Sequence, residues 1–423
     1  MPAACLVAAA ILAVWGWPWL RVGWHLRTAR NALGCGDVAA ALAPLHAADR
    51  TGSDSAEVQY LLAVAHRRKG DLGEFGDRLQ RAAELGWPEE DIERQRWLAS
   101  VQTGQVQSLP SRVQEAEARG LPDELAEEIY EAAAMGYLAA YRLRDAWAWL
   151  DLWLQWRPES PTARFLRGQL YEKLANPAKA VEDYRAAVAS LPADCRVRVK
   201  LGQALLQVNQ VEEAREEFRA CLDASPDDAD ALLGMAQCAR QSGDDAEARR
   251  ALESALAEEL SGERRAVALA EVGCILLREK RVQEAIGALS EAAESAPGDP
   301  SIHDVLALAL AGVGQGEQAR YHQEQARLLR AQQERVAKIK RALDDAPDNA
   351  ELRCELGSIL FEQGLAKEGA DWLRTALGCD PRHRRSHELL GQYYAEAGNR
   401  SLAADHRWMA AQTPPRQPPA ERK

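Results

Sequence analysis

The chain has eight cysteines in 423 residues and no C-x-x-C pair among them. Thiols so spaced imply neither a zinc module nor a disulfide framework. Cys5, Cys35, Cys195, Cys221, Cys238, Cys274, Cys354 and Cys379 therefore read as small core hydrophobes, suited to a reducing compartment. Positive charge is not in excess either. Lys and Arg number 52 against 64 Asp and Glu, a net −12 with a pI near 5.4, and so acidic a chain is a poor non-specific binder of phosphate backbones. Nucleic acid is not an expected partner. The chain carries no nucleophile elbow, no phosphate-cradling glycine loop and no dinucleotide fingerprint, so no enzyme, cofactor or small-molecule substrate is expected. Alternating β-branched runs bounded by turn residues are missing as well, which leaves an all-α protein.

What the chain does have is a period. Gly168, Tyr171, Ala180, Tyr184, Ala187 and Pro192 are answered, each 34 residues on, by Gly202, Leu205, Ala214, Phe218, Cys221 and Pro226. Gly168 and Ala180 are read as the points where two helices of one hairpin cross, since only very small side chains let backbones approach so closely. Pro192 and Pro226 end the second helix, because a proline pushes the residue before it out of the α region. This order of residues resembles the tetratricopeptide repeat, a helix, turn and helix of 34 residues. The resemblance implies a right-handed superhelical solenoid in which each unit packs only on its neighbours, so that length counts repeats instead of globular domains. Counted from Val22, eleven units are recognisable, the third of them, Glu90 to Ala126, poorly phased.

Taken in order, residues 1–20 form the first segment. Ala3 to Leu20 carries no charge and would measure ~27 Å as a helix against a hydrocarbon core of ~30 Å. Trp15, Trp17, Trp19 and Trp24, followed by Arg21, Arg27 and Arg30, resemble an aromatic belt with a basic flank, so a single-pass membrane anchor with cytoplasmic repeats is expected. A cleaved signal peptide is the competing reading, but the basic n-region it needs is missing. Residues 21–160 hold degenerate units and 161–349 regular ones. Between Gly316 and Asp344 no Gly or Pro occurs and the period gains sixteen residues, so a second helix is expected to run on through Leu329, Val336 and Leu343. Residues 350–413 complete the repeats, and 414–423 form a Pro-rich tail with a disordered composition.

Three constellations invite a functional reading. Gln169, Gln203 and Gln237 recur one residue after the small crossing position, with Gln392 at the equivalent place. In tetratricopeptide proteins that position lines the concave groove, so these amides are the candidate contacts to a protein or extended peptide; a tolerated polar position is the bland alternative. Trp149, Trp153 and Trp156 share one helix face and either fill space beside the irregular unit or form an aromatic patch for a partner. His383, His387 and His406 gather near the end, but Arg382, Arg384 and Arg385 would repel a cation and no carboxylate stands at ligand spacing. The resemblance thus implies a membrane-anchored scaffold or adaptor. The alternatives are a self-assembling structural protein, using the long helix or the tryptophans, and a metal-dependent enzyme at His383 and His387.

Overall fold

The computed structural model describes residues 21–51, 55–106, 109, 113, 123–258, 260 and 262–413, and all regular secondary structure among them is helical. The protein is an all-α solenoid. Helices follow one another as hairpins: Ala56–Lys69 with Leu72–Glu84, Asp123–Ala139 with Leu143–Trp156, Pro161–Lys173 with Pro177–Ser190, Cys195–Gln207 with Val211–Ala224, and Ala229–Gln241 with Asp245–Ala257. Gly262–Arg278 with Val282–Ser295, Pro300–Gly312 with Gly316–Asp345, Ala350–Glu362 with Ala366–Cys379, and Arg384–Glu396 with Arg400–Gln412 complete the series. Two compact units emerge, one of Met1–Gly136, Ala148–Arg167 and Ala186–Asp194, the other of Tyr137–Trp147, Gly168–Arg185 and Cys195–Lys423.

The turn inside each hairpin fixes the register. One residue there takes the left-handed conformation: Gly36, Gly70, Gly104, Tyr141, Ala175, Asn209, Gly243, Lys280, Gly314, Gly364 and Gly398, all with positive φ. These eleven positions are the eleven repeats. Successive members lie 34 residues apart except for the steps to Tyr141, Lys280 and Gly364. The third repeat is therefore in phase at its turn, Gly104, although its crossing position is occupied by the bulky Trp97, which hides it from a small-residue pattern.

The role of the crossing glycine differs from the expected one. A Cβ built on Gly202 would lie 2.6 Å from Cζ of Phe218, and one on Gly273 2.6 Å from Cγ of Leu289. The space is kept for a large side chain sixteen residues on, not for Ala180 or Ala214. Interlocking is of glycine with a ring at Gly168 and Gly202 and with leucine at Gly273.

A second periodic contact ties the two helices of a hairpin together. The residue four before the crossing position meets the residue nineteen further on. In the first unit Gln59 accepts from Arg78 at 3.1 Å, and the rings of Tyr130 and Trp149 lie 5.5 Å apart. In the second, Arg198 pairs with Glu217 at 2.5 Å, His303 meets His322 at 2.9 Å, the guanidinium of Arg353 stands 5.8 Å from the ring of Trp372, and His387 meets His406 at 2.8 Å. The same latch is thus built from amide, aromatic, ionic, imidazole and cation–π chemistry in turn.

The first unit also departs from regular packing by burying charge. Arg67, fully buried, donates to Gln95 at 2.8 Å and to Gln102 and Glu128 at 3.3 Å, while Arg68 Nε lies 2.7 Å from Glu131. A buried cation is tolerated only when its donors are met, and this network replaces the small-residue pattern that makes the later repeats readable.

Gly316–Asp345 is one helix of 30 residues, as the missing Gly and Pro led one to expect. Leu329 and Leu343 are buried and Val336 is half-buried. Its later part packs Ile339 and Leu343 with Leu356, Ile359 and Leu360 of the following helix. The heptad-spaced residues are thus spent on the solenoid itself.

The expected membrane span is corrected. Among the described residues no helix is long and apolar enough to cross a membrane, because each helix carries a polar face and buries its apolar one on its neighbours. Even the longest alternates Arg and Glu along its exposed side. The residues on which the single-pass reading rested, 1–20, lie outside those described, as do Cys5 and the tail 414–423.

Candidate functional site

In the second unit the first helices of successive repeats lie side by side, and they bring Gln169, Gln203 and Gln237 to equivalent places on Pro161–Lys173, Cys195–Gln207 and Ala229–Gln241. All three are half-buried, and among the described residues none of their amides has a hydrogen-bond partner. An amide can donate and accept at once, so the row keeps its capacity free. Gln392 is exposed at the corresponding place, whereas Cys274, Leu308 and Ser358 fill it in the repeats between. Leu308 is 71% exposed, so the row passes from amide to apolar along its length.

Charge flanks the amides. Lys173 stands four residues after Gln169 and Lys200 three before Gln203, spacings that share a helix face. Lys200 Nζ lies 3.1 Å from Glu172, which joins the two neighbouring helices. Lys173 and Lys340 hold their ammonium groups 5.9 and 5.5 Å from the centre of one ring, Tyr141. Burial, and then the neighbouring Lys340, hold the Lys173 amine below the usual lysine range. Lys173 nevertheless keeps solvent-accessible surface. Across from it, burial and then Glu263 push the Glu368 carboxyl up, and burial followed by Asp344 raises the Tyr141 phenol.

Sequence reasoning missed this cluster because its members are far apart in the chain. The signal available was Tyr141 itself, a bulky residue at a turn position where positive φ favours glycine; its φ is 52°. Around it, residues 137–147 meet the 340–375 region of the same unit: Arg142 pairs with Asp348 at 3.1 Å, and the Tyr141 and Trp372 rings are 5.8 Å apart.

The tryptophans come together, but as core. In the first unit Trp149, Trp153 and Trp156 surround Tyr130, with ring centres 5.5, 6.1 and 5.7 Å from it. Trp153 is fully buried, Trp149 is half-buried and Trp156 is 38% exposed with the Arg157 guanidinium 4.5 Å over its ring. Only the rim of the expected patch reaches the surface, because Tyr130 draws the other rings inward.

The histidines do not converge as one set. His383 caps the helix Arg384–Glu396 with its Nδ1, while its Nε2 lies 3.1 Å from Glu351; His387 turns instead to His406. Among the described residues no group of three or more His, Cys, Asp or Glu gathers as metal ligands would. The cysteines are seven described free thiols, of which burial pushes Cys221, Cys238, Cys274, Cys354 and Cys379 up.

A family model described as tetratricopeptide repeat matches residues 26–90, 199–264, 246–300 and 317–383, more than half of the chain, and a second of the same description matches 161–193. The chain belongs to the tetratricopeptide repeat family. No curated protein matches it in sequence. Solved structures similar to it include PilW, described as a widely conserved type IV pilus biogenesis factor, 19% identical over 48% of this chain and 93% of that one, with a TM-score of 0.43. MamA from Desulfovibrio magneticus RS-1 is 16% identical over 40% of this chain and 95% of that one, TM-score 0.34. A human IFIT1 dimer with PPP-AAAA is 16% identical over 85% of this chain and 90% of that one, TM-score 0.42.

Proposed function

We propose that this tetratricopeptide repeat protein is a non-catalytic scaffold whose second unit holds an extended polypeptide along the row Gln169, Gln203 and Gln237. The observation that carries the reading is the set of three half-buried amides, one per repeat, without a hydrogen-bond partner among the described residues. An extended peptide presents alternating backbone donors and acceptors, and a ladder of amides at a fixed interval can answer them. Lys173 and Lys200, on the same helix faces, would favour acidic side chains beside that backbone.

The test compares the full chain with the triple variant Gln169→Ala, Gln203→Ala, Gln237→Ala in affinity capture from the native cells, followed by direct binding of each captured protein to both purified chains. At a net ~1 kcal/mol per hydrogen bond, three losses weaken binding by about two orders of magnitude. Stability should change by less than about 0.5 kcal/mol per site, since none of these side chains supports a neighbour. Equal affinity of the folded triple variant for every captured protein would remove the row from the account.

A further inference from the structure

Two of the six latches are made of histidine, and they share one construction. In the first, His303 Nε2 faces the carbonyl of Pro297 at 3.2 Å and its Nδ1 faces Nδ1 of His322 at 2.9 Å. In the second, His387 Nε2 faces the carbonyl of Pro381 at 3.1 Å and its Nδ1 faces Nδ1 of His406 at 2.8 Å. A carbonyl only accepts, so Nε2 of His303 and of His387 must carry a hydrogen. With both rings neutral, the Nδ1 that remains is an acceptor, and the hydrogen between the rings belongs to His322 or His406. Each latch therefore holds together on a single shared proton. One added proton leaves the bond in place, with an imidazolium donating to a neutral ring; a second added proton puts a hydrogen on both Nδ1 atoms, breaks the bond and sets two cations face to face.

The surroundings offer little to stabilise an extra charge. His322 is touched by the edge of the Tyr321 ring and packed against His303; Asp304, next along that helix, is already engaged by Arg330 of the long helix. His406 is stacked on Tyr394 at 5.4 Å, with Asp405 beside it and Arg374, hydrogen-bonded to Tyr394, contributed by the helix Ala366–Cys379. The carboxylate of Asp405 favours protonation and the Arg374 guanidinium opposes it. Burial, and then the partner imidazole, hold both His322 and His406 below the ordinary histidine value of 6.5.

We propose that the two histidine latches make the repeats containing Pro300–Gly312 and Arg384–Glu396 acid-labile, so that these hairpins loosen while the repeats latched by Arg198–Glu217 and Arg353–Trp372 stay closed. The sign follows from proton uptake. The unfolded histidines bind protons from about pH 6.5 downward, whereas folded His322 and His406 resist them. The stability that a latch adds is complete above pH 6.5 and is lost as pH falls through the lowered folded value. Each proton excluded from a latch raises the opening constant of its hairpin by up to about tenfold per pH unit in that window. The ionic latch of Arg198 and Glu217 contains no histidine, which makes it an internal control.

Hydrogen exchange of the full chain at pH 7.5 and 5.5, corrected for intrinsic rates, tests this. Protection of 300–312 and 384–396 should fall about tenfold or more relative to Cys195–Gln207. The quadruple variant His303→Arg, His322→Glu, His387→Arg, His406→Glu copies the ionic latch and should abolish that difference. Titration of ring nitrogens in the wild-type chain, by NMR of ¹⁵N-labelled histidine, gives a measurement independent of how the variant folds. Two of the four histidines that form the latches should resist protonation at pH 5.5. Equal loss of protection in all three helices, an undiminished difference in a folded quadruple variant, or four histidines titrating near pH 6.5 would each overturn the proposal.

Discussion

Gly202 and Phe218 concentrate the packing of a repeat into one contact. Adding even a Cβ at Gly202 places it inside the van der Waals envelope of the Phe218 ring, so Gly202→Leu should cost about 1 to 3 kcal/mol or more by overpacking. Gly398 makes a useful contrast. It has open space around it and a φ of 78°, so Gly398→Leu should be penalised by about 1 to 2 kcal/mol of backbone strain alone. The two costs can be told apart. Phe218→Leu made together with Gly202→Ala should recover part of the loss in a double-mutant cycle, and no ring trimming should rescue Gly398→Leu. An unchanged unfolding midpoint for Gly202→Leu would mean the repeat register is misplaced. Trp153 is the other residue whose size matters. Its indole is fully buried and Nε1 meets no hydrogen-bond acceptor among the described residues, so the ring is held for its volume. Trp153→Ala should cost about 3 to 5 kcal/mol, while Trp153→Phe, which also removes the orphaned N–H, should cost far less; equal losses in denaturant titration would point to a polar role instead.

At the scale of the element, the long helix Gly316–Asp345 is a test of how far apolar burial compensates for an insertion. Gln333 sits midway on its exposed face. Gln333→Pro removes one helical hydrogen bond and clashes with the preceding turn, at about 3 kcal/mol, and should open a proteolytic site in the middle of the helix; Gln333→Ala should leave the digestion pattern unchanged. This helix was legible in the sequence because Gly and Pro have backbone reasons to be absent from a helix interior. The repeats from Pro161 onward were legible for the same kind of reason, since crossing glycines and terminal prolines answer to backbone geometry and recur at one interval. The third repeat was not, because Trp97 occupies the small-residue position and only Gly104 keeps the phase. Nor were the latches, whose chemistry changes from repeat to repeat although their spacing does not. The amide row was visible as a pattern, but the lysines and tyrosine beside it meet only once the chain is folded.

At the scale of the whole second unit, one buried guanidinium joins segments far apart in the chain. Arg353 Nη1 donates to the carbonyl of Ala140, 213 residues away in sequence, at 2.6 Å, and to Thr375 Oγ1 at 3.2 Å, while Nε donates to the carbonyl of Pro347 at 2.9 Å. Ala140 lies just past the end of the helix Asp123–Ala139, where carbonyls lose their helical partners. The charge caps that end and satisfies itself in doing so. Burial holds the Arg353 guanidinium below the usual arginine range, yet its three acceptors keep it an effective donor. Arg353→Leu strands the buried carbonyl of Ala140 and the half-buried one of Pro347 and should cost about 2 to 4 kcal/mol. Arg353→Lys should recover little, because an ammonium cannot serve divergent acceptors as a planar fork does. Arg142 supplies the control. It bridges the same two segments through Asp348, but that carboxylate is 67% exposed, so Arg142→Gln should cost no more than about 1 kcal/mol. Thermal unfolding and hydrogen exchange at Tyr141 and Arg142 would read both effects together: Arg353→Leu should lower the midpoint and release exchange at the 141–142 turn. Were it no more damaging than Arg142→Gln, the closure of this unit would rest on the tilted ring contact of Tyr141 and Trp372 and not on the buried charge.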